Sequence, residues 1–133
     1  VNTDTIYREN IMEHYKNPRN YGRLENADIT FTGENPLCGD KLVYTLKIDN
    51  KILTDIMFEG KGCAISLAAS SMLTEKIKNL AVEEIKALER SDILDMLKIS
   101  IGPVRTKCAI LGLVTVKCAL DSSEAEGSIE VKE

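Results

Sequence analysis

The chain has 133 residues, a formal net charge of −4, and 44% hydrophobic and 29% charged residues. That length fits one domain, and a chain of this size buries roughly two-thirds of its unfolded surface, enough for a core without disulfides. The acidic balance speaks against a nucleic-acid partner, which needs clustered Lys and Arg. No apolar run approaches the ~20 residues of a membrane span.

The first segment, "TDTIYRENIMEHYKNPRNYG", opens on a Thr/Asp cap region. Tyr7, Ile11 and Tyr15 recur at helical spacing, and Asn17-Pro18 ends the helix. "ADITFT" alternates as a half-buried strand does, with Ala27, Ile29 and Phe31 on one face. "KLVYTLKI" sets Leu42, Tyr44, Leu46 and Ile48 on one face. After an Asp49-Asn50 turn, "KILTDIMFEG" sets Ile52, Ile56 and Phe58 on one face. These three runs predict a three-stranded antiparallel sheet.

Helices follow. "CAISLAASSMLTEKIKNL" has helical spacing, and small residues in its first two turns permit close approach of other backbone. "AVEEIKAL" and "SDILDML" read as short helices, the second with Ser91 as its cap. Pro103 suits the start of a long last helix over "PVRTKCAILGLVTVKCAL", and "DSSEAEGSIEVKE" reads as a frayed polar tail from about residue 121. The fold class expected is α+β: one domain over 1–133, with the small sheet packed on one side by about four to six helices. The N-terminal "VNTDTIYREN" lacks a signal-peptide core. A cytoplasmic location is expected, and reduced thiols with it.

In a cytoplasmic chain four cysteines point to metal chemistry, redox chemistry or plain packing. Cys38 lies in a Pro-Leu-Cys-Gly turn. Cys63 follows Gly-Lys-Gly at a predicted helix start, where unpaired N–H groups and the helix dipole favour a thiolate. Cys108 follows Arg105 and Lys107 near another helix start, whose charges also favour the thiolate. Cys118 lies in an apolar stretch, ~15 Å of helix beyond Cys108, and reads as packing. Asp40, two residues from Cys38, completes a set of three thiolates and a carboxylate. Taken alone it is also the kind of aspartate that caps a turn. The carboxylate is a harder, weaker partner for a thiophilic metal than a fourth sulfur.

At these residues the sequence resembles the U-type iron–sulfur cluster scaffolds: IscU, SufU and the N-terminal domain of NifU. "HYKNPRNYGRLENAD" is similar to the family's N-terminal segment. "NPLCGDKL", "FEGKGCAISLAASSML" and "PVRTKCAILGL" are similar to its three cysteine motifs, in order. The resemblance implies that Cys38, Cys63 and Cys108 are the cluster or metal ligands, with Asp40 beside them keeping the cluster labile. It implies a cysteine desulfurase as sulfur donor, apo-proteins as recipients, and a non-enzymatic scaffold carrying a [2Fe–2S] cluster. The alternative it implies is a SufU-like zinc-bound sulfur acceptor, with Cys108 taking the persulfide.

Two departures bear on the branch. Lys107 stands where the IscU branch has a histidine, as in SufU, and a protonated lysine there stabilises a thiolate or persulfide rather than ligating. The spacing from Cys63 to Cys108, however, is close to that of chains without the SufU insertion. "IGPVR" only partly resembles the Leu-Pro-Pro-Val-Lys signal, with Ile101, Gly102 and Arg105 in place of Leu, Pro and Lys. The resemblance therefore does not extend to an Hsp70-type chaperone partner. The single histidine, His14, is expected as a surface residue or a partner contact.

Overall fold

A computed structural model describes residues 3–122 and 124–131. In chain order it contains α1 (Thr3–Lys16), β1 (Ile29–Asn35), β2 (Asp40–Asp49), β3 (Ile52–Lys61), α2 (Ala64–Ile77), α3 (Val82–Lys86), α4 (Arg90–Leu97), α5 (Pro103–Asp121) and β4 (Glu126–Glu130). The side chains of Thr3 and Asp4, expected in the cap of α1, lie outside the described residues. No helix among the described residues is long and apolar enough to cross a membrane.

The α+β class holds, but the sheet is mixed and four-stranded, in the order β3-β2-β1-β4. The expected antiparallel trio is present. The added strand comes from the segment read as a frayed tail: β4 pairs in parallel with β1, from Thr30↔Glu126 to Glu34↔Glu130. Its composition hid it, because three of its five residues are Glu or Ser. Alternation still turns Gly127 and Ile129 inward. Gly127 lies so close to Phe31 that a Cβ there would sit 2.5 Å from the ring.

Two details of β3 also differ from the reading. The tight turn is Asn50-Lys51, both at positive φ (52° and 65°), with Asp49 paired to Ile52. This is the primed geometry that matches strand twist. One residue later the register shifts: Lys47 pairs with Asp55 but Ile48 with Leu53, leaving Thr54 as an extra residue. Such a bulge flips the face of everything beyond it. Leu53, not Ile52, is therefore fully buried alongside Ile56 and Phe58.

The helices cover one face of the sheet. α2 is buried along most of its length, including Ser66, Ala68, Ala69, Ser70 and Ser71. α5 crosses beside it as one continuous helix through Val114, Thr115 and Val116, starting at Pro103 as expected. The small residues do what their size allows: Gly112 of α5 sits where a Cβ would meet the Tyr44 hydroxyl at 2.3 Å. That hydroxyl donates to Ser70 Oγ at 2.5 Å. α4 begins two residues earlier than Ser91 suggests, with Glu89 as the cap and its N–H donating to Asp92 at 2.7 Å.

The inward face of α1 is Ile11 and His14, while Tyr15 is exposed. His14 is thus not a surface residue, because α2 offers it a polar partner. Its Nδ1 lies 2.7 Å from Ser71 Oγ. Ser71 Oγ also accepts the Arg19 N–H at 2.8 Å, so the chain after α1 is pinned to α2 at the same point. Burial, then Arg19, hold the His14 imidazole below its ordinary 6.5, while Glu75 and Glu13 oppose this. A group whose folded pKa is lowered binds its proton better in the unfolded chain. Stability from neutral His14 is therefore full above about pH 6.5 and is lost as pH falls below it. In thermal melts between pH 7.5 and 5.5, the midpoint of His14→Gln should fall less steeply than that of the parent. Parallel curves would contradict this assignment.

Candidate functional site

Three segments converge where β1 turns into β2. The turn spans residues 36–39, with Gly39 at φ +72° and the Asn35 carbonyl accepting the Cys38 N–H at 3.2 Å. It leaves Cys38 half-buried. β2 then starts at Asp40, and alternation through Leu42, Tyr44 and Leu46 fixes Asp40 on the helix side of the sheet, 1% exposed.

From the neighbouring strand, β3 runs through Lys61 and Gly62 into Cys63, the N-cap of α2. Cys63 Sγ accepts the Ser66 N–H at 3.4 Å, which uses one of the helix's unpaired donors. The backbone N–H of Cys63 donates to Asp40 Oδ1 at 3.1 Å. Cys108 comes from the second turn of α5 and points inward, 1% exposed.

The structure brings Cys38, Asp40 and Cys108 together. Their donor atoms all lie within 4.8 Å of one another. The Cys38 and Cys108 sulfurs are 3.2 Å apart, well beyond the ~2.05 Å of a disulfide, and all four cysteines are free. Cys63 falls outside that group of three and joins it through the Asp40 hydrogen bond. Asp40 Oδ2 is buried with no partner. An unpaired buried carboxylate oxygen among sulfurs is costly unless something positive or proton-donating meets it.

The electrostatics of Cys108 differ from the expectation. By sequence, Arg105 and Lys107 are expected to lower its pKa. Instead burial pushes the thiol up. The nearness of Cys38 and Asp40, then the charges of Cys63 and Asp40, push it the same way. The reason is position: Arg105 lies on the exposed side of α5, whereas Cys108 faces the acidic interior of the site. Lys107 is half-buried beside it, on the wall of a small cavity of about 60 Å³ that reaches Cys38. Leu37 and Val104, 64% and 58% exposed, line the same cavity. Cys118 lies further along α5, half-buried, outside the group of three.

Sequence reasoning missed Asn35. It is fully buried, its Nδ2 faces Cys108 Sγ at 4.0 Å, and its Oδ1 has no partner. The signal was alternation carried three residues further than "ADITFT". Phe31, Gly33 and Asn35 share the inward face of β1, opposite Tyr44, Leu42 and Asp40.

Residues 6–127 match the family described as the NifU-like N terminal domain. The chain is 40% identical over 128 residues to the zinc-dependent sulfurtransferase SufU of Bacillus subtilis, covering 84% of this chain and 86% of that one. It is 35% identical over 127 residues to the iron–sulfur cluster assembly scaffold protein IscU of Aquifex aeolicus, covering 93% and 80%. The fold matches the crystal structure of the proposed iron–sulfur cluster assembly scaffold of the SUF system from Fervidobacterium islandicum. There the TM-score is 0.76 and the identity 28%, over 90% of this chain and 99% of that one. With a family match over nearly its whole length, this chain belongs to the NifU-like N-terminal domain family.

Proposed function

We propose that this protein is a scaffold on which a labile [2Fe–2S] cluster is assembled and from which it is passed to apo-proteins. Cys38, Asp40, Cys63 and Cys108 are the proposed ligands. The observation that carries the reading is the cluster of Cys38, Asp40 and Cys108 with an unpartnered Asp40 oxygen, in a family whose relatives are named as iron–sulfur scaffolds.

The donor set suits a thiophilic metal. Two sulfurs bound at ~2.3 Å to one tetrahedral metal sit roughly 3.8 Å apart, so the 3.2 Å pair needs to open only slightly. Cys63 completes the set by turning its sulfur away from Ser66. Loading releases the thiol protons, so it is favoured at higher pH, the more so because burial holds Cys108 protonated.

In sulfur delivery, a site thiolate attacks the outer sulfur of the desulfurase persulfide. A new S–S bond forms, the donor's S–S bond breaks, and the desulfurase thiolate leaves. Cys108 is the proposed final acceptor. A cysteine desulfurase and apo-protein recipients are the proposed partners, and a cytoplasmic location goes with them.

A second reading is favoured by the 40% identity to a zinc-dependent sulfurtransferase and by Lys107. In it the same residues hold Zn²⁺ and the chain accepts persulfide sulfur without building a cluster.

Anaerobic reconstitution with iron, cysteine, a desulfurase and a thiol reductant tests the ligand set. Visible absorbance should fall at least tenfold in Cys38→Ala, Cys63→Ala and Cys108→Ala, and persist in Cys118→Ala. Full loading of any of the first three would remove that residue from the set.

A further inference from the structure

Asn35 and Asp40 are directly paired across the β1–β2 hairpin. Both side chains lie on the helix side of the sheet, 0% and 1% exposed. They share a pattern: each has one atom engaged with a cysteine of the site and one oxygen without a partner. Asp40 Oδ1 accepts the Cys63 N–H, and Asn35 Nδ2 faces Cys108 Sγ at 4.0 Å. Asp40 Oδ2 and Asn35 Oδ1 are the two buried side-chain polar atoms left unpaired among the described residues.

The turn does not need the Asn35 side chain, since its backbone carbonyl receives the Cys38 N–H. The core does not need it either. An apolar residue would fill the position without burying an unpaired oxygen. What the amide adds is its N–H pair, and the atom in front of that pair is the Cys108 sulfur.

We infer that Asn35 is a positioning residue of the site: its side-chain amide donates to the Cys108 sulfur and holds it toward Cys38 and Asp40 when that sulfur is a ligand. The inference rests on the proposed ligand role of Cys108. At 4.0 Å the contact to a neutral thiol is long. A hydrogen bond to a charged acceptor is shorter and stronger, so the contact tightens once the sulfur carries charge. Donors behind a ligand fix its orientation and tune the bound metal.

Anaerobic titration with Co²⁺ alone tests this, because sulfur-to-cobalt charge-transfer absorption reports affinity and ligand electronics together. Asn35→Ala removes the amide. Asn35→Asp keeps its shape but loses both donors. Both variants should bind Co²⁺ about tenfold more weakly, and in Asn35→Ala the charge-transfer band should move to lower energy. Far-UV circular dichroism and melting of the metal-free proteins identify any folding loss. A merely structural amide would lower the metal-free melting midpoint and leave the band where it is. Unchanged affinity and band position in a folded variant would overturn the inference while leaving the metal site standing. No charge-transfer band in the parent would overturn the metal site and the inference with it.

Discussion

Asp40→Ala should retain a reconstituted [2Fe–2S] cluster about tenfold longer than the parent once an apo-acceptor is added, with loss of visible absorbance as the measurement. Asp40 is buried, its Oδ1 is held by the Cys63 N–H, and its Oδ2 points among the cysteines unpaired. In the proposed ligand set it contributes the weakest bond of the four to a thiophilic metal. In that set it is also the fourth anionic ligand beside three thiolates. The expected tenfold corresponds to about 1.4 kcal/mol of activation free energy. The carboxylate is also the ligand an incoming acceptor thiolate displaces most easily, so its loss removes the easiest exchange step. Faster release from Asp40→Ala would show that the carboxylate holds the cluster rather than loosening it.

Gly60→Ala should destabilise the fold by about 3 kcal/mol or more, lowering the thermal midpoint by roughly 10–15 °C. Gly60 pairs with Leu42 near the end of β3, at φ +146°. A Cβ there would lie 2.1 Å from the Lys41 carbonyl oxygen and 3.0 Å from Leu42 Cα. Both neighbours are backbone and neither can rotate away. The strands would have to separate where Asp40 of β2 meets Cys63 beyond β3, so metal loading should fall with stability. Gly39 provides the contrast. It also has positive φ, +72°, but a Cβ there would meet nothing within 4 Å. Asparagine tolerates that conformation, so Gly39→Asn should stay within about 1 kcal/mol of the parent. Equal melting midpoints for Gly60→Ala and the parent would refute the close approach.

Much of this was legible in the sequence because each signal was local. Alternation gave three strands, Pro103 gave the start of α5, and the small residues of α2 anticipated close approach to the sheet and α5. What escaped depended on partners far along the chain. β4 is a strand because Gly127 fits against Phe31, which a Glu- and Ser-rich stretch does not announce. His14 is buried because Ser71, 57 residues away, meets its ring. Leu53 replaces Ile52 inside because of one extra residue, Thr54.

The site divided in the same way. Cys38, Cys63 and Cys108 stood out by their turn and helix-start contexts, and Asp40 by its place two residues from Cys38. The expected lowering of the Cys108 pKa failed because neighbouring charge was read along the sequence, whereas the sulfur faces Asp40 and two other cysteines. Asn35 went unseen because β1 continues past Thr32 into the turn.

The measurement that bears most directly on the proposed scaffold role is anaerobic incubation with iron, cysteine, a cysteine desulfurase and a thiol reductant that reduces the persulfide sulfur to sulfide, followed by metal analysis and addition of an apo-acceptor. The scaffold reading predicts iron and sulfide in equal amounts, visible absorbance of a [2Fe–2S] centre, and its transfer to the acceptor. One stoichiometric zinc, no chromophore, and a desulfurase rate that rises on adding the protein would contradict it in favour of zinc-dependent sulfur transfer.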